Sequence, residues 1–437
     1  MQKNMETSFA KFLRKTTEYL IYLFVFLLPW QTKFILQPAE TAYSEISLYL
    51  SHALLLVILI LFLFQRAQEK ECDEECRPVL YPLIALALFS FVSIFFAPDK
   101  FLAFYHYFIF LSGLSLFFVI RAGTTSHSYQ DPLLDKVNLI YSLLASVFLS
   151  AMLGIYQFLT QSTFAFKYLG LASHNPFDLG TAVVETASGR WLRAYGGLDH
   201  PNILGGVLAV SLIFAAYLLA KKKMLNTRRD VWSSIFLFVF YFVALYALFF
   251  TFSRSAWLAL AVGFIVLLIV FIVNRDKWVL GRFLALMIFS IFLIGIAAFP
   301  FQDLLSARVN VQTRLEQKSI NERLAYMSEA KELASKNIFT GVGVGNYSLA
   351  TGLADGNKKA AWDYQPVHNC FLLILAENGI FSFLSFLVFI FFLIKRGRGE
   401  KFMLGVIAAI FILMMLDHWL ISLPFGLLFL SLLLGLI

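Results

Sequence analysis

RRDVWSSIFLFVFYFVALYALFFTFSRSAWLALAVGFIVLLIVFIVNR, residues 228–275, holds two apolar runs, 231 to 251 and 254 to 273, with basic residues at both outer flanks and Arg254 in the turn between them. A helix crossing the hydrocarbon of a bilayer needs about 20 mostly apolar residues. The stretch therefore reads as a membrane hairpin. Further spans of the same kind lie at approximately 46 to 64, 80 to 97, 101 to 120, 137 to 159 and 202 to 220 before it, and 280 to 300, 367 to 394, 402 to 417 and 421 to 437 after it. A first apolar stretch, Tyr19 to Trp30 behind Lys11, Arg14 and Lys15, imitates a secretory signal but lacks a small-x-small cleavage site, and it reads as a retained helix. The whole chain agrees: of 437 residues 60% are hydrophobic, 14% are charged, and mean hydropathy is +0.77, too apolar for a water-soluble protein of this length. Continuous rather than alternating apolar runs exclude an outer-membrane barrel. The expected fold is an all-α polytopic membrane protein with about 12 transmembrane helices.

With the N-terminus inside, the segments assigned to the cytoplasm collect 21 of the 35 Lys and Arg, whereas the short outer loops hold three, Lys33, Lys100 and Arg254. That asymmetry sets the orientation, with both termini cytoplasmic. It leaves two long segments on the outer face, 160 to 201 and 301 to 366. The expected organisation is transmembrane helices one to nine over residues 1–300, a large extracytoplasmic loop with amphipathic helices over 301–366, and helices ten to twelve over 367–437. In the large loop, Ser319 and Glu322 have the spacing of a capping box, and Ile320, Leu324, Met327 and Leu333 then share one face, which predicts an amphipathic helix over 320–336. Residues 302 to 317 are a second candidate helix. TGVGVGNY, residues 340–347, has neither a preceding strand nor a following helix in this reading, so it is a helix stop and tight loop rather than a dinucleotide-binding motif.

Even-numbered helices start at the outer face, where free N–H groups and the positive end of the helix dipole favour an anion. Three motifs stand at such starts: His200-Pro201-Asn202, Ser253-Arg254 and Pro366-Val367-His368-Asn369. Arg254 falls at the outer hydrocarbon boundary, against the positive-inside bias; snorkelling to headgroups is the plain alternative. Arg323 opens NERLAY, where a solvated surface arginine is equally natural. His368 has the residue type for general-base work, or is simply a helix-start histidine held by backbone contacts. Glu377, beside Asn378-Gly379, is a membrane-embedded carboxylate or marks a helix irregularity, and Asp417-His418 in the last outer turn can face the same cavity.

Absences narrow the chemistry. No D-x-D pair or dense outer carboxylate cluster supports a metal-nucleotide-sugar site, and neither H-E-x-x-H nor G-x-S-x-G occurs. Cys72, Cys76 and Cys370 allow no outer disulfide within one chain, the first two reading as reduced thiols. Nothing supports a nucleic-acid partner. A transporter or flippase, the rival class, calls for repeated halves and midplane ionisable groups, and no internal repeat is evident.

GGLDHPNILGG, TFSRSAWLAL, NERLAYMSEAKEL followed by TGVGVGNY, and VHNCFLLILAENGIFSFLSF, in that order over about residues 190 to 395, resemble the O-antigen ligase and O-antigen polymerase superfamily of bacterial surface-glycan enzymes. The resemblance implies a membrane glycosyltransferase, GT-C-like, in the bacterial cytoplasmic membrane, with its active site on the outer side. It implies a donor glycan on undecaprenyl diphosphate, a glycolipid or glycan acceptor such as lipid A core, contact with membrane lipids, and neither cofactor nor metal. The family's helix arginine matches Arg254, its loop arginine Arg323 and its histidine His368, which become the expected catalytic residues. Arg254 and Arg323, with Arg193, His200, Asn202 and Asn369, are the expected substrate contacts. The ligase reading is preferred because one outer loop carries the Arg323 and His368 motifs; a polymerase joining lipid-linked repeats is the alternative, and a polysaccharide flippase is third.

Overall fold

The computed structural model describes residues 8–39, 43–66, 77–125, 132–187, 189–222, 227–310, 313–360, 363–396 and 401–437. Cys72 and Cys76 lie outside the described residues. The protein is an all-α polytopic membrane protein. Among the described residues eight helices are long and apolar enough to cross a membrane, and three apolar helices, Leu50–Gln65, Met403–Leu416 and Pro424–Leu436, are shorter. With the basic-headed α1, Ser8–Leu27, they occupy the twelve expected positions.

Several boundaries differ from expectation for local reasons. The second span does not begin at residue 46: β1 (Lys33–Gln37) pairs antiparallel with β2 (Ile46–Tyr49), and α2 (Leu50–Arg66) follows. The Tyr105 hydroxyl fixes this hairpin, donating to the Ser47 carbonyl at 2.9 Å and accepting from its N–H at 3.2 Å. A second antiparallel hairpin, β3 (Val183–Thr186) with β4 (Gly189–Leu192), lies in the first long loop. Apolar periodicity over whole spans hides such short strands.

The helices that frame the site are α3 (Arg77–Ser93), α4 (Lys100–Thr124), α5 (Lys136–Thr160), α6 (Pro201–Lys221), α7 (Arg228–Phe250), α8 (Arg254–Val273) and α9 (Lys277–Ala298). At the centre is α6, buried over most of its length. In lipid, close packing rather than escape from water drives helix association, and small residues permit it. A Cβ at Gly205 of α6 would lie 2.8 Å from the Ala256 Cβ and 2.9 Å from the Ser253 Cβ, so the starts of α6 and α8 cross where only glycine fits.

After α9 the chain forms α10 (Gln302–Val309), α11 (Arg314–Lys336), α12 (Tyr347–Asp355), α13 (Cys370–Arg396) and α14 (Met403–Leu416). It ends in α15 (Trp419–Ser422) and α16 (Pro424–Leu436), so the span expected at 421–437 is broken. The predicted capping box is unused. Thr313 stands at the N-cap of α11, six residues ahead of Ser319, and the buried face runs through Glu316, Tyr326, Ala330, Leu333 and Ala334, leaving Leu324 60% exposed. The glycine loop is a helix stop as expected, but a helix, α12, does follow it.

That loop supports a kink. Gly379 interrupts α13 at φ 76°, ψ 177°, freeing carbonyls of the preceding turn. Val342 N–H bonds the Ala376 carbonyl and Gly343 N–H the Glu377 carbonyl, both at 2.9 Å, while Ile380 N–H bonds Ile338 at 2.7 Å. A helix broken at membrane depth persists where protein groups satisfy its backbone. Glu377 thus sits at a helix irregularity, its Oε1 accepting from Tyr347 N–H at 3.3 Å.

Candidate active site

The α7–α8 turn concentrates positive charge. Phe252 is fully buried in the left-handed region at φ 46°, a costly conformation for a bulky residue, on the order of 1–3 kcal/mol, and one that persists only when neighbours over-determine it. Two arginines do so. Arg193 Nε donates to the Thr251 carbonyl at 2.7 Å, and Arg308 Nε donates to the Phe252 carbonyl at 2.8 Å. Cations at a helix C-terminus complement its dipole. Arg254, the first residue of α8, is 31% exposed and pairs with Glu316 at 2.9 Å, while Arg308 pairs with the other oxygen of the same buried carboxylate. Glu316 is therefore clamped between two guanidinium groups.

A second chain of contacts reaches the α14–α15 turn. Arg193 Nη2 donates to Asn202 Oδ1 at 2.7 Å, and Asn202 Nδ2 donates to Asp417 Oδ2 at 3.2 Å. His200 caps α6, its Nδ1 accepting from Asn202 N–H at 3.1 Å, so it works for the backbone and fixes Asn202. Burial pushes the His200 imidazole down to about 3, with Arg193 adding to the effect. Asn369 likewise serves the start of α13: Oδ1 accepts from Leu372 N–H at 2.9 Å and Nδ2 donates to the Met415 carbonyl at 3.2 Å.

His368 lies beside this chain. Its ring is 5.1 Å from that of His418, edge-on at 80°, and 6.2 Å from Tyr326, stacked at 8°. Its Nδ1 is buried without a hydrogen-bond partner. Burial lowers its pKa, Asp417 opposes that shift and Arg323 reinforces it. The imidazole is thus neutral and accepting near pH 7. Burial pushes the Asp417 carboxyl up, but His418, His368 and Arg323 together hold it below the usual range. Arg323, one helical turn before Tyr326, acts electrostatically on His368, Asp417, His418, Arg193 and Arg308, and it makes no hydrogen bond or ion pair among the described residues.

The expected residues therefore gather at one end of the bundle. Arg323 is near enough to His368 for its charge to act on the imidazole, Arg254 reaches the same cluster through Glu316 and Arg308, and Arg193, His200, Asn202 and Asn369 hold the frame. Residues 238–387 match a family model described as O-antigen ligase. That match, over less than half of the chain, supports a likeness to the O-antigen ligase superfamily. The matched segment holds Arg254, Arg308, Glu316, Arg323, His368 and Asn369; Arg193, His200, Asn202 and Asp417 come from outside it. No curated protein and no solved structure matches the chain.

Arg308 and Glu316 were not singled out from the sequence. A trace of them is there: Glu316 is one of only two acidic residues between 301 and 320. A lone carboxylate among basic residues on a buried face asks for a cationic partner. Tyr43 was also missed; its hydroxyl stands 3.5 Å from His418 Nε2.

Proposed function

We propose that the chain is an O-antigen ligase-type glycosyltransferase that moves a glycan from undecaprenyl diphosphate to an acceptor hydroxyl, on lipid A core or a similar glycolipid, at the outer face of the bacterial cytoplasmic membrane. Both termini are cytoplasmic in this reading. The observation that carries it is a half-buried histidine whose Nδ1 has no partner among the described residues, set beside Asp417 and an Arg323 guanidinium that is unpaired among the same residues. His368 takes the proton of the acceptor hydroxyl as its oxygen bonds the anomeric carbon. The bond from that carbon to the phosphate oxygen breaks on the opposite side, and the lipid diphosphate leaves with the electron pair. The anomeric configuration inverts. Arg323 and Arg254, whose planar guanidinium groups suit two-point contact with phosphate oxygens, hold the charge that grows on the leaving group. Arg193 and Asn202 position Asp417, whose charge stabilises the protonated form of His368.

Extraction of lipid-linked glycans from a strain lacking the gene tests this reading. Long chains accumulated on the carrier lipid are expected; single accumulated repeats would instead point to a polymerase, and an unchanged lipid-linked pool would refute both.

A further inference from the structure

The α14–α15 turn carries a second kind of chemistry. His368, Asp417 and His418 each offer one ligand atom, and the three atoms lie within 4.8 Å of one another. Bonds of about 2.0–2.1 Å to a tetrahedral Zn2+ put ligand atoms roughly 3.4 Å apart. Closing the triad onto an ion thus takes side-chain rotation, with no rearrangement of the helices.

Two of the three ligands are oriented from behind. His418 Nδ1 is 2.6 Å from Ser422 Oγ, which turns Nε2 to the Tyr43 hydroxyl, a long hydrogen bond of 3.5 Å that an ion would replace. Asp417 is held by its own neighbour's backbone, His418 N–H at 2.8 Å, and by Asn202, which Arg193 fixes in turn. Metal-binding histidines and carboxylates are typically steered by such partners. The third residue, His368, has a buried ring nitrogen, Nδ1, without a hydrogen-bond partner among the described residues. Buried polar atoms are normally bonded, so this one calls for a ligand. Two imidazoles and one carboxylate with an open position suit a late first-row dication, Zn2+ above all.

We propose that His368, Asp417 and His418 bind one Zn2+ ion, and that the bound ion inhibits glycan transfer by occupying the lone pair with which His368 would accept the acceptor's proton. The ion is an inhibitor here and not a cofactor. Arg323 faces the same groups and opposes a cation electrostatically. Its charge makes the site a reversible one and gives it a signature that a casual surface site lacks: removing Arg323 tightens it. The inhibitory half rests on the function proposed above; the binding half does not.

Untagged, chelator-washed protein in detergent is titrated with Co2+, following its visible ligand-field absorption, and Zn2+ is then used to displace it. One ion per chain is expected, with the band lost in Asp417→Asn and His418→Gln, affinity weakened about 10- to 100-fold in Ser422→Ala, and affinity increased in Arg323→Gln. No band in the unmodified protein, or a band undiminished in His418→Gln, overturns the site. Should the ligand variants fail to accumulate, the opposite shifts in Ser422→Ala and Arg323→Gln decide it, and equal affinity in both overturns it. Since the absorption does not depend on turnover, the site stands or falls independently of the transfer reaction; bound Zn2+ with undiminished transfer would remove the inhibition alone.

Discussion

Replacing Glu316 by Gln keeps the side chain's shape and deletes its charge, leaving two guanidinium groups flanking a neutral amide. The carboxylate is 6% exposed, Arg308 10% and Arg254 31%. Removing one partner of a buried ion pair costs about 3–5 kcal/mol. Water screens the exposed Arg254 half, and Arg308 keeps its bond to the Phe252 carbonyl, so a loss near the lower end, about 3 kcal/mol, is expected. Thermal unfolding in detergent, read by intrinsic fluorescence, should shift down by several degrees. Inorganic pyrophosphate should then restore part of the loss, because an anion can take the carboxylate's place: a ligand at 100 times its Kd stabilises by about 2.7 kcal/mol. In the unmodified protein the same anion competes with Glu316 for Arg254, so its stabilising effect should be smaller. Equal melting of both proteins, or an equal pyrophosphate response, would refute the idea that Glu316 occupies arginines meant for a diphosphate.

In the proposed reaction His368 acts when neutral; its pKa is depressed by burial, so the acid limb of the kcat/KM profile should fall below the usual histidine range. Arg323→Gln removes a charge that depresses it and should move the limb to higher pH; Asp417→Asn removes one that raises it and should move the limb lower, whatever either change does to the maximal rate. Gly379→Ala places a Cβ against the Phe339 carbonyl at a φ of 76°, and should destabilise the protein by more than about 1 kcal/mol, seen as a lowered melting temperature. Asn202→Ala removes one buried hydrogen-bond partner from Arg193 and one from Asp417, and should cost about 1–3 kcal/mol, measured in the same unfolding experiment.

What the sequence made legible is what short-range physics controls. Hydropathy located the crossing helices, and helix-start chemistry picked out His200, Arg254 and the His368 segment, which do stand at or just before helix starts. The S-x-x-E spacing at Ser319 misled because the same spacing recurs inside a continuous helix, and the true N-cap, Thr313, lies one and a half turns earlier. Its error rotated the predicted apolar face and exposed Leu324. Pairings across the chain were invisible: Asn202 meets Asp417 across 215 positions, and Arg254 meets Arg308 and Glu316 only because α10 and α11 fold back over the α7–α8 turn. No local periodicity encodes such contacts. The hairpin β1–β2 escaped for another reason, its residues being apolar enough to read as the start of the following span.

The role proposed for His368 is that of the base in a glycan transfer from a lipid diphosphate. Purified protein reconstituted in lipid, given a polyprenyl-diphosphate-linked glycan and a glycolipid acceptor, should form product and release free polyprenyl diphosphate in equal amounts. His368→Ala should retain its fold and lose about 10²- to 10⁴-fold in rate. Product formed by His368→Ala at the unmodified rate would rule that role out.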